Sequence, residues 1–522
     1  MNCDLLIKNG FIIDGTGKPG FHGDLAISQG KIADIAAGLK YQAAQLIDAS
    51  GLTVCPGFID PHVHEELTVL SQGTFEEFLR QGVTTLITGN CGHSIINCSS
   101  HRIYEYMTKK GLISAPSVEI LKTKVPAWTD FPGYIKIVKN KGISVNMGFL
   151  LGHSTLRWQV IGNSKNKPSI KEEAKIIHLI HEGMEQGALG FSTGLTYNPG
   201  KYADTDELIQ FARVVQTYDG IYTSHLRSYL GTPEAVREAI AIGKRIGIRV
   251  QVSHLPPTSP ESFQEILSAR ERGLEIALDT IPKSSGHFRR KDRLFQYLTT
   301  RPYLQSQEAI KKLIKKMRFK EKLRIVNTGE PLLEERTLAD LAGYYQMEVN
   351  ELLLTLLENH NHELTFCDGD IHREDFPGDS YPDSIAFNPL VMVGSDTVSG
   401  EINDPLAWFE LFRRGAFPIY IDLCRQKGVR LEEIIRRITS LPARQFRLEN
   451  RGILAKGKAA DLAIIDMHGY SYPNRQDIDY KNPLVMASGV KYTIVNGQAA
   501  LADGTLKVRN AGQLLSRNGR LL

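Results

Sequence analysis

The sequence predicts an α/β fold: a (β/α)8 TIM barrel, a small β-sandwich made by both chain ends, and a helical insertion between the seventh and eighth strands. Three observations lead there. Hairpin-like dipeptides recur near both termini, at Asn9-Gly10, Gln29-Gly30 and Asn496-Gly497, each between short apolar runs. From residue 53 to residue 444, short apolar runs alternate with longer amphipathic stretches, the pattern of a parallel sheet covered by helices. Eight such runs are present, the number a (β/α)8 barrel needs.

Residues 1–52 open the sandwich with DLLIKNGFIIDGTG and DLAISQGKIADIAA, and residues 445–522 complete it with DLAIIDMHG and KYTIVNGQAALADG. The barrel strands are expected within TVCPGFIDPHVH, TTLITGNCG, ISVNMGFLLGH, ALGFSTG, IYTSHL, IRVQVSHL, LEIALDTIP and LVMVGSDT. Segments such as IKEEAKIIHLIHEGMEQG and TDELIQFARVVQTY supply the covering helices. Residues 283–385 interrupt the alternation. That stretch is charged, helical in pattern and too long for a plain loop, so a helical subdomain over one barrel end is expected.

Composition narrows the partners. The 522 residues carry 62 Lys+Arg against 58 Asp+Glu, a net charge of +4, too even to mark a nucleic-acid or membrane-surface binder. No apolar run reaches the ~18 residues of a membrane span, and MNCDLLIKNG lacks the plan of a signal peptide. Six scattered cysteines give no disulfide framework, so a reducing, cytoplasmic setting is expected. A small-molecule substrate is the expected partner, and the sequence specifies no oligomeric state.

The polar residues gather where barrel chemistry takes place. His62 and His64 end the first run, Cys91 the second, His153 the third, His225 the fifth, His254 the sixth and Asp396 the eighth. In a barrel these strand ends converge on one mouth. The His-x-His spacing puts both imidazoles on one face of a strand. Imidazoles, a thiolate and a carboxylate together form a ligand set for one or two borderline divalent ions, zinc first. Taken singly, a histidine or a buried cysteine is more often packing than ligand. Their joint placement at strand ends is what singles these residues out. His93, His101, His178, His181, His287 and His372 lack that placement and are read as structural or surface residues, and Cys55 as packing.

The motifs PGFIDPHVH, GNCGHS, GHSTLRW, GALGFSTGLTYNPGKYADTDELI, SHLR, VSHL and GSDT resemble the amidohydrolase superfamily. Within it, the cysteine of GNCGHS and the long fourth-strand block resemble the N-acyl-D-amino-acid deacylase (D-aminoacylase) family, of which this chain looks like a divergent member. The resemblance implies a zinc-dependent hydrolase of an amide-type C–N bond in an N-acylated amino acid or related small metabolite. It implies one tight zinc on Cys91, His225 and His254, and a weak or partly filled second site on His62 and His64 that Cys91 can bridge. The third and fourth runs hold no lysine and Lys201 lies beyond the strand end, so the thiolate takes the place of the carboxylated lysine of other relatives.

The resemblance further implies Asp396 as general acid/base, with His153 and Tyr197 steadying the oxyanion or the substrate. This sequence departs from the family where the substrate carboxylate is held. The lysine expected past the sixth-strand histidine is missing from HLPPTSP, and Arg413 and Arg414 stand near, but outside, the usual arginine pattern. A buried carboxylate without its cation is costly, so simple N-acetyl-D-amino acids are expected to be poor substrates. Two other readings are weighed: a cyclic-amide hydrolase of the dihydroorotase or hydantoinase type, and a non-catalytic metal-binding barrel.

Overall fold

The computed structural model describes residues 1–522 except 111, 114, 229–230, 257–259, 283–287, 291–310, 312–313, 316–319, 327–329, 360–364, 368–382, 399–409, 474–484 and 518–521. Strands β1 (Asn2–Ile12), β2 (Phe21–Ser28), β3 (Lys31–Ala36), β4 (Gln42–Asp48) and β5 (Thr53–Pro56) open the chain. The central run holds β6 (Phe58–Asp60), β7 (Val63–His64), β8 (Val83–Thr88), β9 (Asn146–Phe149), β10 (Leu151–Gly152), β11 (Gly190–Gly194), β12 (Ile221–His225), β13 (Arg249–Val252) and β14 (Ile276–Thr280). Next come β15 (Phe288–Arg290), β16 (Arg324–Val326), β17 (Thr365–Cys367), β18 (Val391–Val393) and β19 (Thr397–Val398). The C-terminal strands are β20 (Leu462–Ile465), β21 (Val490–Val495), β22 (Gln498–Ala502), β23 (Thr505–Leu506) and β24 (Leu514–Leu515).

Both chain ends build one nine-stranded sheet, ordered β23-β22-β21-β20-β5-β1-β2-β3 with β4 added to β1. Gln29-Gly30 turns β2 into β3 with φ of 52° and 70°, and Asn496-Gly497 turns β21 into β22 with 49° and 82°. Two consecutive positive φ values are what a two-residue hairpin of matching twist requires. Asn9-Gly10 is different. It lies inside β1 as a bulge, where the register with β2 shifts between Ile7 and Gly10. The Asp24 carboxylate pins that bulge, accepting from Asn9 N–H at 2.9 Å, Leu39 N–H at 2.9 Å and Lys8 Nζ at 2.8 Å.

Each of the eight apolar runs of the middle contains a strand. The parallel order follows the chain: β6 to β8 to β9, then β10 through β14 to β18, with β19 pairing in parallel with β7. Strands β8, β11, β12, β13, β14 and β18 are buried along their whole length, as a sheet covered by helices demands. The helix Thr205–Gln216 shows how the cover is made. The Asp204 carboxylate caps it by accepting from Glu207 N–H at 2.8 Å, and Leu208, Phe211, Ala212 and Val215 form its buried stripe.

Two boundaries differ from the sequence expectation. Thr53–Pro56 belongs to the terminal sheet, paired with β1 and β20, so the central strands begin at Phe58. The last strand, β24, leaves that sheet and pairs in parallel with β9. A buried polar network joins the two layers there. Asp461 accepts from Arg451, from Asn146 Nδ2 at 3.0 Å and from Asn496 N–H at 2.7 Å. Arg451 also donates to Asn496 Oδ1 at 2.9 Å and Gln513 Oε1 at 3.0 Å.

Within 283–385 the described residues include the helices Leu338–Tyr345 and Val349–Asn359, whose apolar faces join a separate small core with Ile314, Leu323 and Ile325. They also include an antiparallel sheet ordered β15-β17-β16, which the helical expectation lacked. Three-residue strands are too short to show a period in sequence. Among the described residues no helix is long and apolar enough to cross a membrane.

Candidate metal centre and active site

Each expected residue stands where a strand ends. His62 follows β6, with its N–H donating to Asp60 Oδ1 at 3.0 Å, and His64 ends β7. Cys91 lies just beyond β8, His225 closes β12, His254 follows β13, and Asp396 sits between β18 and β19. Cys91, His254 and Asp396 all take positive φ, at 52°, 34° and 52°. A side-chain-bearing residue pays about 1–3 kcal/mol for that backbone, and such residues concentrate at functional sites. Hydrogen bonds hold two of them: His254 N–H donates to Asp279 Oδ1 at 2.8 Å, and Asp396 N–H to the His62 carbonyl at 2.9 Å. Gly194 supports the third. A Cβ there would strike the Cys91 carbonyl oxygen, so only glycine lets β11 close on the Cys91 loop.

The side chains meet at one point. Cys91 Sγ lies 3.3 Å from His62 Nε2, 3.4 Å from His254 Nε2 and 3.8 Å from His225 Nδ1. Asp396 Oδ1 is 3.3 Å from His62 Nε2 and 3.4 Å from His64 Nε2. His62, Cys91, His254 and Asp396 each offer one ligand atom, all within 4.8 Å of one another. His225 Nδ1 and His254 Nε2 are 2.7 Å apart. Two ring nitrogens that close must share a proton or a cation.

Charge is arranged to suit a cation. Burial disfavours a charged Cys91, but the His62 and His254 imidazoles outweigh it and hold the thiol well below its usual range. Burial likewise opposes charge on Asp396, and His62 and His64 reverse that, keeping the carboxylate ionised. Burial and the His254 ring hold His225 below its usual value, which leaves a neutral imidazole with a lone pair to give. Outer partners fix the rings: Asp279 Oδ1 faces His62 Nδ1 at 3.2 Å, and Thr196 Oγ1 faces His225 Nε2 at 2.7 Å. Against burial, the Cys91 thiolate and the Asp396 carboxylate hold His62, His64 and His254 toward their charged forms, whose protons a bound cation would displace. A thiolate, imidazoles and a carboxylate with oriented outer partners make a donor set that fits zinc.

The expected substrate residues divide. Tyr197 borders the cluster, its ring 4.6 Å from that of His225 and its hydroxyl 3.4 Å from Nδ1. His153 is fully buried, and its Nε2 meets Glu207 Oε1 at 3.1 Å. That contact occupies Nε2 and leaves Nδ1 without a hydrogen-bond partner among the described residues. Arg157, also buried, donates to the same carboxylate at 2.6 Å. Arg414 directs Nη1 to Met486 Sδ at 3.1 Å rather than to the cluster, and the Arg413 side chain lies outside the described residues.

Two site residues escaped the sequence reading. Asp279 ends the seventh run, the placement that singled out the others, so its signal was present. His93, read as structural, is buried beside the cluster, its ring 6.2 Å from that of His64 and 5.4 Å from that of Tyr197. Its Nδ1 lies 2.7 Å from Tyr106 Oη.

Comparison with known proteins places the chain in a family. The profile described as "Amidohydrolase family" matches residues 45–318 and 390–500. The chain belongs to the amidohydrolase family. Among this amidohydrolase's relatives is the D-aminoacylase of Alcaligenes xylosoxydans xylosoxydans, 28% identical over 521 residues that cover 98% of each chain. The N-acyl-D-glutamate deacylase of the same organism is 27% identical over 530 residues, 99% of this chain and 97% of that one. The crystal structure of N-acyl-D-glutamate deacylase from Bordetella bronchiseptica, complexed with zinc and a phosphonate mimic of the tetrahedral intermediate, superposes with a TM-score of 0.74. It is 26% identical, and the match covers 99% of this chain and all of that one.

Proposed function

We propose that this amidohydrolase cleaves an amide-type C–N bond of an N-acylated amino acid or related small metabolite, with zinc as its metal. The observation that carries this reading is the convergence of Cys91, His62, His254 and Asp396 beyond the ends of parallel strands. We take the eight central strands to close as a (β/α)8 barrel and the terminal sheet to fold as a sandwich beneath it. Cys91, His225 and His254 would hold one zinc tightly, and His62 and His64 a second more weakly. When bound, zinc supplies an activated water at neutral pH and polarises the scissile carbonyl.

The protein's own groups do the rest. Asp396 takes the proton from the attacking water and then hands it to the leaving nitrogen, giving a carboxylate and a free amine. His62 and His64 hold the carboxylate ionised and aimed, as a proton acceptor requires. Tyr197 would touch the substrate, and His153, whose Nε2 is held by Glu207, would steady it or the oxyanion through its other ring nitrogen. The deacylase relatives favour an open-chain amide over a cyclic one.

Metal analysis and a panel of N-acyl amino acids test the proposal. Cys91→Ala should strip the tight zinc and leave a folded protein; full zinc in that variant sinks the ligand assignment. Asp396→Asn should keep fold and zinc but lose about 10²–10⁴-fold in turnover, because an amide cannot accept the proton. A loss under about tenfold would reduce Asp396 to a structural role.

A further inference from the structure

The lysine expected past the sixth-strand histidine is absent, and Arg414 is turned to Met486. Among the described residues, a carboxylate entering the site meets neither of these cations. On the second-strand side, a buried row of rings, His64, His93 and Tyr106, leads away from the cluster with centres 6.2 and 5.7 Å apart. His93 packs against Tyr197 and, through Nδ1, meets the Tyr106 hydroxyl at 2.7 Å. Lys110, at the end of the helix Ser100–Lys109, is half-buried and lays Nζ 5.5 Å from the centre of the Tyr106 ring. Lys201 is near enough to repel the Lys110 ammonium; it is exposed, with Nζ 5.1 Å from the centre of the Tyr202 ring. It sits in the turn Gly200–Tyr202, its N–H donating to the Tyr197 carbonyl at 2.7 Å. Among the described residues no carboxylate pairs with either ammonium group. A half-buried cation without a counter-ion is costly, and an anionic ligand relieves the cost.

We propose that Lys110, with Lys201 beside it, receives the substrate's anionic group along the His93–Tyr106 wall. The substrate class is then an N-acyl amino acid whose carboxylate lies toward the second strand rather than the sixth. Burial, with repulsion from Lys201 and Lys109, pushes the Lys110 amine down to about 8, as an unpaired ammonium in this crowd should be. The inference rests on the hydrolase reading above.

The decisive experiment compares zinc-loaded wild type with Lys110→Met on an N-acyl amino acid and on its neutral amide. The expected result is a KM raised about ten- to a hundredfold for the acid, the scale of a lost charged hydrogen bond. For the amide, KM should stay as it is, and Lys110→Arg should restore the acid. Equal changes for acid and amide, or none for either, overturn the proposal. A second arm separates this from failure of the hydrolase reading: calorimetric binding of a non-hydrolysable N-sulfonyl amino acid and its amide. If wild type hydrolyses neither the acid nor its neutral amide, the hydrolase reading fails, and the calorimetry still decides Lys110. Acid binding must weaken in Lys110→Met and amide binding must not; any other pattern removes the lysine from the site.

Discussion

Gly194 is where one added methyl group should matter most. Alanine there drives a Cβ into the Cys91 carbonyl and pushes the thiol off the cluster. Zinc affinity should fall about 10–100-fold, the range seen when the support of a metal ligand is altered. Competition with a chelator would measure it, and an unchanged affinity would mean the Cys91 loop yields freely. Lys110 gives a second expectation. Its ammonium faces Lys109 on its own helix, Lys201 from the neighbouring turn, and the Tyr106 and His93 rings. Because its pKa is lowered to about 8, the amine is charged below that pH and loses its proton above it. KM for an acidic substrate should therefore rise from pH 7 to pH 9, where an ordinary lysine near 10.4 would stay charged. A flat profile would place the anion elsewhere. At this scale the sequence was informative wherever a polar residue ended a strand-like run, including Asp279, which met the criterion and was passed over. It was silent on His93, since only the turn after Cys91 brings that ring to the site.

At the scale of elements, the Asn9-Gly10 bulge shows what a dipeptide does and does not specify. Asn-Gly marks a backbone able to take positive φ, and Asn9 does so at 60°. Whether that becomes a hairpin or a bulge depends on Asp24, a residue on the next strand. Burial works against the Asp24 charge, but Lys8 and the N–H groups of Asn9 and Leu39 overcome it and hold its pKa below the usual value. The stability this lends is complete above about pH 4, the ordinary aspartate pKa, and is lost as pH falls through the lowered one. Asp24→Ala should cost about 1–3 kcal/mol at neutral pH and flatten the loss of stability in acid. Denaturant titration at pH 7 and pH 3 would show it. If both proteins lose stability equally in acid, the carboxylate is not the anchor. The insertion repeats the lesson, because β15, β16 and β17 are defined by their partners and not by any pattern of their own.

On the scale of the whole molecule, the network around Asp461 ties the terminal sheet to β9 and the C-terminal tail. Asp461→Ala leaves the buried Arg451 guanidinium without its counter-charge, a loss of about 3–5 kcal/mol that urea unfolding would register. A cost below about 1 kcal/mol would mean that water replaces the carboxylate at no penalty. The alternation of runs was legible because each strand and its helix carry a local period. The pairing of β5 with β20, and of β24 with β9, was not. Those contacts join segments whose sequences hold no sign of each other, so both boundaries of the terminal sheet shifted.

That same pairing sets a timetable on the ribosome. Cys55 meets the Ala463 carbonyl 408 residues further along the chain. At roughly 5–20 residues per second, the nascent β5 waits about 20–80 s for β20. Through that interval the outer edge of β5, which β20 will cover, stays open to any other chain, so overproduction at high temperature should yield inclusion bodies, and slower synthesis or chaperone supply should relieve them.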